Sequence, residues 1–191
     1  MKKKYKTKNK NIVLLGHSQG AIEAAKVASI NNKITVNILL GANTFGRIQS
    51  ALLSNRVAYV KGVIDSSEYV TERNRAYEYW KETVSNPEVY SCFGDPSKTE
   101  ISFSKSIVPD LLNSNAKVFL GVGSLEASSY LVDMIPLYFI ERKKEIPTIK
   151  IYEGLDHNFF PLLKNGEPDY RNGKWSIVMD DIINWFELNS N

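Results

Sequence analysis

The stretch that decides the fold is NIVLLGHSQGAIEAA, residues 11–25. Its aliphatic residues, Ile12 to Leu15, form a short apolar run without polar alternation, which is typical of a strand covered on both faces. The segment GHSQG, residues 16–20, interrupts this run, and an alanine-rich stripe with helical spacing follows it. The stretch therefore predicts a strand, a sharp turn and a helix in immediate succession.

Three further apolar runs have the same character, and they predict three more strands at residues 34–40, 117–121 and 148–152. Helical patterns lie between the runs. A final amphipathic pattern over residues 175–186 predicts a helix at the end of the chain. Strands that alternate with helices predict an α/β fold, here a parallel sheet of about four strands flanked by helices.

The connection between the second and third predicted strands, residues 42–116, is far longer than a single crossover helix requires. It is rich in aromatic residues and has a helical pattern over residues 71–84. We predict an inserted, mainly helical cap over residues 44–108, followed by a short helix near residues 109–112 that returns to the sheet. With this insertion, residues 1–191 are expected to form one domain.

Composition narrows the functional classes. Residues 1–10 form a basic tail with six lysines on an otherwise slightly acidic chain, which we interpret as a solvated terminus without a nucleic-acid partner. The single cysteine, Cys92, excludes an intrachain disulfide, and no cysteine or histidine spacing indicates a metal site. A reducing, cytoplasmic setting is therefore expected. No apolar stretch approaches the roughly 20 residues of a membrane span.

A Gly-x-Ser-x-Gly motif between a strand and a helix is typical of a nucleophile elbow. Gly16 and Gly20 are expected to leave room for the sharp turn and for close packing of the helix on the strand. The turn would raise the Ser18 hydroxyl above the sheet, at the N-terminus of the helix. There the backbone N–H of Gln19 and the helix dipole would face a developing oxyanion. The motif therefore predicts Ser18 as a nucleophile.

A nucleophilic serine needs a base, and the chain has two histidines. His17 directly precedes Ser18, and on an extended backbone its side chain points to the other side. His157 follows the fourth predicted strand, and loops after parallel strands meet at the edge of the sheet where the elbow lies. We therefore predict His157 as the general base.

The third member should be a carboxylate that orients His157 and stabilises its imidazolium form. The chain order in this architecture is serine, acid, histidine, and Glu126 lies in the loop after the third predicted strand. Asp133 is the alternative, although it falls in the following helix. Asp156 adjoins His157, where its side chain would point elsewhere. We favour Glu126 and expect the other two to be solvated surface carboxylates.

The chain resembles the α/β-hydrolase superfamily in three segments: GHSQG, GSLE at residues 123–126, and GLDH at residues 154–157. The resemblance implies a serine hydrolase of the esterase, lipase or thioesterase type. Such an enzyme would act on a small carboxylic ester or thioester through an acyl-enzyme, without a cofactor. Many members have aspartate where this chain has Glu126. An acyltransferase, in which an alcohol replaces water, is the alternative chemistry.

The elbow lies close to the start of the sequence. In the superfamily it follows the fifth strand, so the four predicted strands correspond to the last four, and the loop that supplies the second oxyanion donor has no counterpart. Ile12 to Leu15 would then form an open sheet edge. Three accounts remain open: part of a longer hydrolase whose missing N-terminal segment covers this edge, a homodimer that closes it, or an inactive relative that acts as a binding module.

Overall fold

The computed structural model describes residues 12–90, 94–127 and 129–189; the predicted tail, residues 1–10, and Cys92 lie outside these ranges. The described residues form a four-stranded sheet, and all neighbouring strands are parallel. In spatial order the strands are β1 (Ile12–His17), β2 (Ile34–Leu40), β3 (Lys117–Gly123) and β4 (Thr148–Tyr152). The predicted α/β fold class with four parallel strands is therefore confirmed. Two strands, β1 and β3, extend two residues beyond their predicted ends.

Helices cover both faces of the sheet. In chain order the described helices are α1 (Gln19–Ile30), α2 (Arg47–Val60), α3 (Ser66–Ser85), α4 (Ser97–Phe103), α5 (Val108–Asn113), α6 (Ser129–Val132), α7 (Ile135–Glu141) and α8 (Trp175–Asn189). Helices α1, α5, α6 and α7 contribute to the apolar cluster on one face, and α8 contributes to the cluster on the other. The molecule is therefore built in three layers, with the sheet in the middle.

The alternation of side chains along the strands creates these two clusters. Neighbouring residues such as Ile38 and Leu39 point to opposite faces because successive side chains of a strand alternate. Leu39 packs in the cluster under α1, and Ile38 packs in the cluster under α8. The central strands are consequently buried on both faces, which explains why their sequences are mostly apolar and show no regular polar alternation.

The helical pattern after β3 is divided in the structure. Helix α6 ends at Val132, and α7 begins at Ile135 with Pro136 in its first turn. Proline lacks the backbone N–H that a helix interior requires, but the first turn leaves that donor unpaired in any case. Pro136 therefore marks the start of a new helix.

The segment 44–108 contains α2, α3 and α4. Helix α2 has no buried residue, and in α3 the buried residue is Thr83. A capping box, in which Asp65 and Glu68 each bond the other's backbone N–H, fixes the start of α3. These two helices are therefore only lightly held by the core, and a hydrogen bond from Nδ2 of Asn55 to the Tyr69 carbonyl joins them to each other.

Helix α4 is anchored more firmly than the other two helices of this segment. Its residue Glu100 is buried and forms an ion pair with Arg47 at the start of α2. The Arg47 guanidinium also lies over the ring of Phe103, 5.0 Å from its centroid. Because a buried carboxylate is costly without a partner, this pair ties the beginning of α2 to α4.

Strand β1 lies at one end of the described sheet and pairs with β2. Its aliphatic side chains are partly open to solvent: Ile12 and Val13 are each 39% exposed, and Leu15 is 46% exposed. Within the described ranges no helix combines the length and apolar character needed to cross a membrane.

Candidate active site

Ser18 lies between the last residue of β1 and the first residue of α1. Its backbone has φ 56° and ψ −121°, a strained conformation for a residue other than glycine. The Ser18 N–H donates to the carbonyl of Leu40 at 2.8 Å, and the Ser18 carbonyl accepts from the N–H of Ala21 at 3.1 Å. These two bonds hold the strained turn between the neighbouring strand and the new helix.

The two glycines of this turn have different surroundings. A Cβ atom at Gly16 would collide with the backbone of Gly20 and Ala21, so the crossing of β1 and α1 requires glycine there. A Cβ atom at Gly20 would meet none of the described atoms within 4 Å. The packing role expected for Gly16 therefore has a steric basis, whereas no described residue outside α1 crowds the position of a side chain at Gly20.

The structure brings Ser18, His157 and Glu126 together. The Ser18 hydroxyl lies 2.8 Å from Nε2 of His157, and Nδ1 of His157 lies 2.5 Å from Oε2 of Glu126. A carboxylate can only accept, so Nδ1 carries the imidazole proton and Nε2 is free to accept from the serine hydroxyl. The arrangement can therefore pass a proton from the hydroxyl to the imidazole.

The surroundings of His157 strengthen its basicity. Its hydrogen bond to Glu126 raises the pKa of His157; partial burial opposes this rise, and the charges of Glu126 and Asp156 add to it. The Glu126 side chain is 7% exposed and that of His157 is 35% exposed, so the acid is enclosed while the base remains accessible. A base of raised pKa holds the proton of an attacking serine more firmly.

The loops that carry the acid and the base are joined to each other. The N–H of Ser124 donates to the carbonyl of Tyr152 and the N–H of Leu125 to that of Leu155, both at 3.0 Å. The Ser124 hydroxyl accepts from the N–H of Gly154 at 2.8 Å. These three bonds continue the pairing of β3 and β4 beyond the sheet and fix Glu126 beside His157.

Two small residues complete this junction. A Cβ atom at Gly123 would collide with the carbonyl groups of Leu155 and Asp156, so the two loops approach each other only because this position is glycine. The hydroxyl of Ser129 donates to the Glu126 carbonyl at 2.7 Å. Neither residue carries chemistry, but both keep the carboxylate in reach of the imidazole.

The two alternative acids lie elsewhere. Asp156 is not a simple surface carboxylate: its Oδ1 accepts from the N–H of Asn158 at 2.9 Å and of Phe160 at 2.8 Å. It therefore shapes the turn that presents His157. Asp133 is exposed and lies in the turn between α6 and α7, so the expectation that it falls inside a helix was wrong.

One contact of the base was missed by the sequence analysis. Gly41 directly follows β2 and has φ +57°. A Cβ atom there would lie 3.0 Å from Cε1 and 3.1 Å from Nδ1 of His157, so the imidazole ring rests against a bare backbone. A glycine directly after a strand, at the same edge of the sheet as the elbow, was a usable signal.

Gln19 is the first residue of α1, so its backbone N–H has no carbonyl partner within the helix. Together with the helix dipole it can stabilise negative charge beside Ser18. In the part of the chain that the structure describes, no group of three or more histidine, cysteine, aspartate or glutamate side chains could hold a metal ion.

No protein-family profile matches the sequence, and no curated protein matches it. Among solved structures, a carboxylesterase from Nitrososphaera gargenis is 15% identical with a TM-score of 0.44; the match covers 77% of this chain and 58% of that one.

A lipase-esterase related protein from Clostridium acetobutylicum is 16% identical with a TM-score of 0.47, over 93% of this chain and 67% of that one. An E-2-(acetamidomethylene)succinate hydrolase is 13% identical with a TM-score of 0.46, over 92% and 66%. The chain thus spans 58–67% of the length of these proteins. The case for a site depends on the contacts described above.

Proposed function

We propose that this chain is a serine hydrolase that cleaves a carboxylic ester or thioester through an acyl-enzyme intermediate. The observation that carries the proposal is the uninterrupted series of hydrogen bonds from the Ser18 hydroxyl through His157 to Glu126. This series begins at Ser18, whose strained backbone conformation is the one that a nucleophile elbow requires. Neither a core packing role nor a surface role accounts for both hydrogen bonds together with the strained turn.

In the first half of the reaction, Nε2 of His157 takes the hydroxyl proton of Ser18 as its Oγ attacks the acyl carbon. The carbonyl oxygen becomes an oxyanion beside the N–H of Gln19, and Glu126 stabilises the imidazolium. When the carbon–oxygen or carbon–sulfur bond breaks, His157 gives its proton to the departing alcohol or thiol. The acyl group is then bonded to Ser18.

In the second half, water replaces the alcohol or thiol. His157 takes a proton from the water as its oxygen attacks the acyl carbon, and the same proton returns to Oγ of Ser18 when the acyl bond breaks. The carboxylic acid leaves, and the starting state is restored. An alcohol in place of water would make the same residues an acyltransferase, which the geometry of these three side chains serves equally.

We further propose that segment 44–108 is a cap that contributes to substrate selection, within a single domain in the cytoplasm. Helices α2, α3 and α4 line an open cleft of about 490 Å³, which combines apolar residues such as Ile48, Ala51 and Ala76 with the charged residues Arg47, Glu72, Arg75 and Glu100. An apolar acyl or alcohol group would suit the apolar part of this lining. The alternative function, an inactive binding module, is favoured by the exposed aliphatic edge of β1.

A fluorophosphonate probe tests the proposal, because it phosphonylates only an activated serine. We expect one adduct, mapped to Ser18 by mass spectrometry, and turnover of a p-nitrophenyl ester that Ser18→Ala lowers by roughly 10⁴–10⁶-fold. Ser67→Ala serves as the control, since that exposed serine of α3 makes none of the described contacts that hold Ser18, Glu126 and His157 together. Folded protein without an adduct, or equal labelling of Ser18→Ala, would rule the proposal out and leave the binding module.

A further inference from the structure

The histidine beside the nucleophile contacts the base from a second direction. Nε2 of His17 lies 3.0 Å from the backbone carbonyl oxygen of His157. A carbonyl can only accept, so the Nε2–H of His17 donates this hydrogen bond. The adjacent residues His17 and Ser18 therefore both bond to His157, one at its backbone and the other at its imidazole.

The His17 ring is held in place by aromatic neighbours. Its centroid lies 5.3 Å from that of Trp175 in an edge-on arrangement, 6.0 Å from that of Phe159 and 5.2 Å from that of His157. Phe159 is fully buried and has a φ of 61°, so the chain after His157 is anchored in a strained conformation. The donor of His17 is therefore aimed by packing and is not a freely rotating surface group.

The connections of the His157 loop show why this bond matters. Asp156 closes the loop on itself, and the bond from Leu125 to Leu155 ties it to the acid loop. Within the described residues, two side-chain hydrogen bonds join it to the elbow: the one from Ser18 and the one from His17. The Ser18 bond breaks in each turnover when the hydroxyl proton moves, whereas the His17 bond can persist throughout.

We propose that His17 is a positioning residue for the reaction proposed above, and that its bond to the His157 carbonyl keeps the imidazole at reacting distance from Ser18. The inference rests on that proposed function. A displacement of about 1 Å between reacting groups can lower a rate by 10²-fold. Loss of the His17 donor is therefore expected to slow the chemistry without changing how substrate binds.

Two substitutions separate the donor from the ring. His17→Phe keeps an aromatic ring and removes the donor, whereas His17→Gln removes the ring and keeps an amide that can donate to the same carbonyl. We expect His17→Phe to lower kcat and the rate of fluorophosphonate labelling about 10- to 100-fold with KM nearly unchanged. His17→Gln should restore most of both. Tyr170→Phe, an aromatic substitution outside the His17 ring cluster, should stay close to wild type.

Histidine NMR gives a readout that does not depend on turnover. The chain has only two histidines, so His17→Phe assigns both imidazoles of the ¹⁵N-labelled protein. We expect His17 to be the Nε2–H tautomer, and the resonances of His157 to move in His17→Phe but not in Tyr170→Phe.

The outcomes distinguish the two proposals. If the wild-type protein is labelled at Ser18, either of two results overturns the positioning role alone. One is an equal labelling rate for His17→Phe and His17→Gln, and the other is an Nδ1–H tautomer of His17. A wild-type protein that is folded and unlabelled at Ser18 overturns the proposed function and, with it, the catalytic meaning of the contact. The inference is supported if His17→Phe lowers kcat and the labelling rate, His17→Gln restores most of both, and His17 is the Nε2–H tautomer.

Discussion

The two edges of β1 differ in how closely they are surrounded. Along the edge that pairs with β2, every residue from Ile12 to His17 has a partner, and the pairing continues through the bond from Ser18 to Leu40. Along the other edge, no described strand pairs with β1, and the side chains of Val13 and Leu15 remain substantially exposed. We refer to these as the paired edge and the open edge.

The difference shows which contacts the candidate site depends on. The nucleophile, the acid and the base come from β1, β3 and β4, and each is held by bonds that run along the paired edge and between the loops beyond it. None of the described contacts of Glu126 or His157 involves the open edge. Changes along the paired edge should therefore affect chemistry or folding strongly, and changes along the open edge should affect both weakly.

The largest effect is expected from Glu126→Gln. The amide has nearly the same shape, so the fold should be retained, but it no longer stabilises the imidazolium and can favour the wrong tautomer of His157. We expect kcat to fall roughly 10³–10⁴-fold, measured by ester turnover. Glu153→Gln removes an exposed carboxylate of the same loop region and is the matched control, with an effect below about twofold.

The same variant has a defined pH dependence. His157 accepts a proton only when it is neutral, so activity falls as the pH drops through its pKa. Because the bond to Glu126 raises the pKa of His157, the acid limb of kcat/KM in wild type should lie above the ordinary value of about 6.5. Glu126→Gln should move the limb to lower pH. An unmoved limb would show that Glu126 does not act on His157.

The next largest effect is expected from Gly16→Ala, for which Gly20→Ala is the comparison. Gly16→Ala places a methyl group against the backbone of Gly20 and Ala21, and should lower the free energy of unfolding by roughly 2–3 kcal/mol. Gly20→Ala meets open space and should change it by less than about 0.5 kcal/mol. Urea denaturation measures both. Equal losses would mean that Gly20 is covered in solution, which would contradict the difference described above.

The contents of the site were predictable where local pattern and chain order suffice. The apolar runs indicate the strands, and the motif around Ser18 indicates the turn. The position of Glu126 in the loop after the third strand favours it over Asp133. The structure brings these side chains together because parallel strands end at the same edge of the sheet. Both pieces of information are present in a single sequence.

The remainder depends on how distant loops approach one another. The hydrogen bond from His17 to the His157 carbonyl joins residues that are 140 positions apart in the chain, and no local sequence pattern predicts it. The contact of Gly41 with the imidazole has the same origin. Helix α2 was not delimited because it has no buried residue, and a helix without a buried face has no apolar periodicity to detect.

The smallest effect is expected on the open edge, where Leu15→Ala can be compared with Leu39→Ala on β2. Leu39 is fully buried, and its truncation should lower the free energy of unfolding by about 2–5 kcal/mol. Leu15 is 46% exposed, so its truncation should cost about 1 kcal/mol or less and leave the labelling rate of Ser18 unchanged. Urea denaturation at two protein concentrations measures both variants.

The same measurement also tests whether the open edge is exposed to solvent or covered by a second copy of the chain. Truncation of a leucine that is exposed to solvent lowers the free energy of unfolding only a little, whatever the protein concentration. If Leu15→Ala costs as much as Leu39→Ala, and the cost grows with protein concentration, then a second copy of the chain covers the open edge in solution, because only association makes stability depend on concentration. In that case the side chains of Ile12 and Val13 belong to an interface, and β1 has two paired edges.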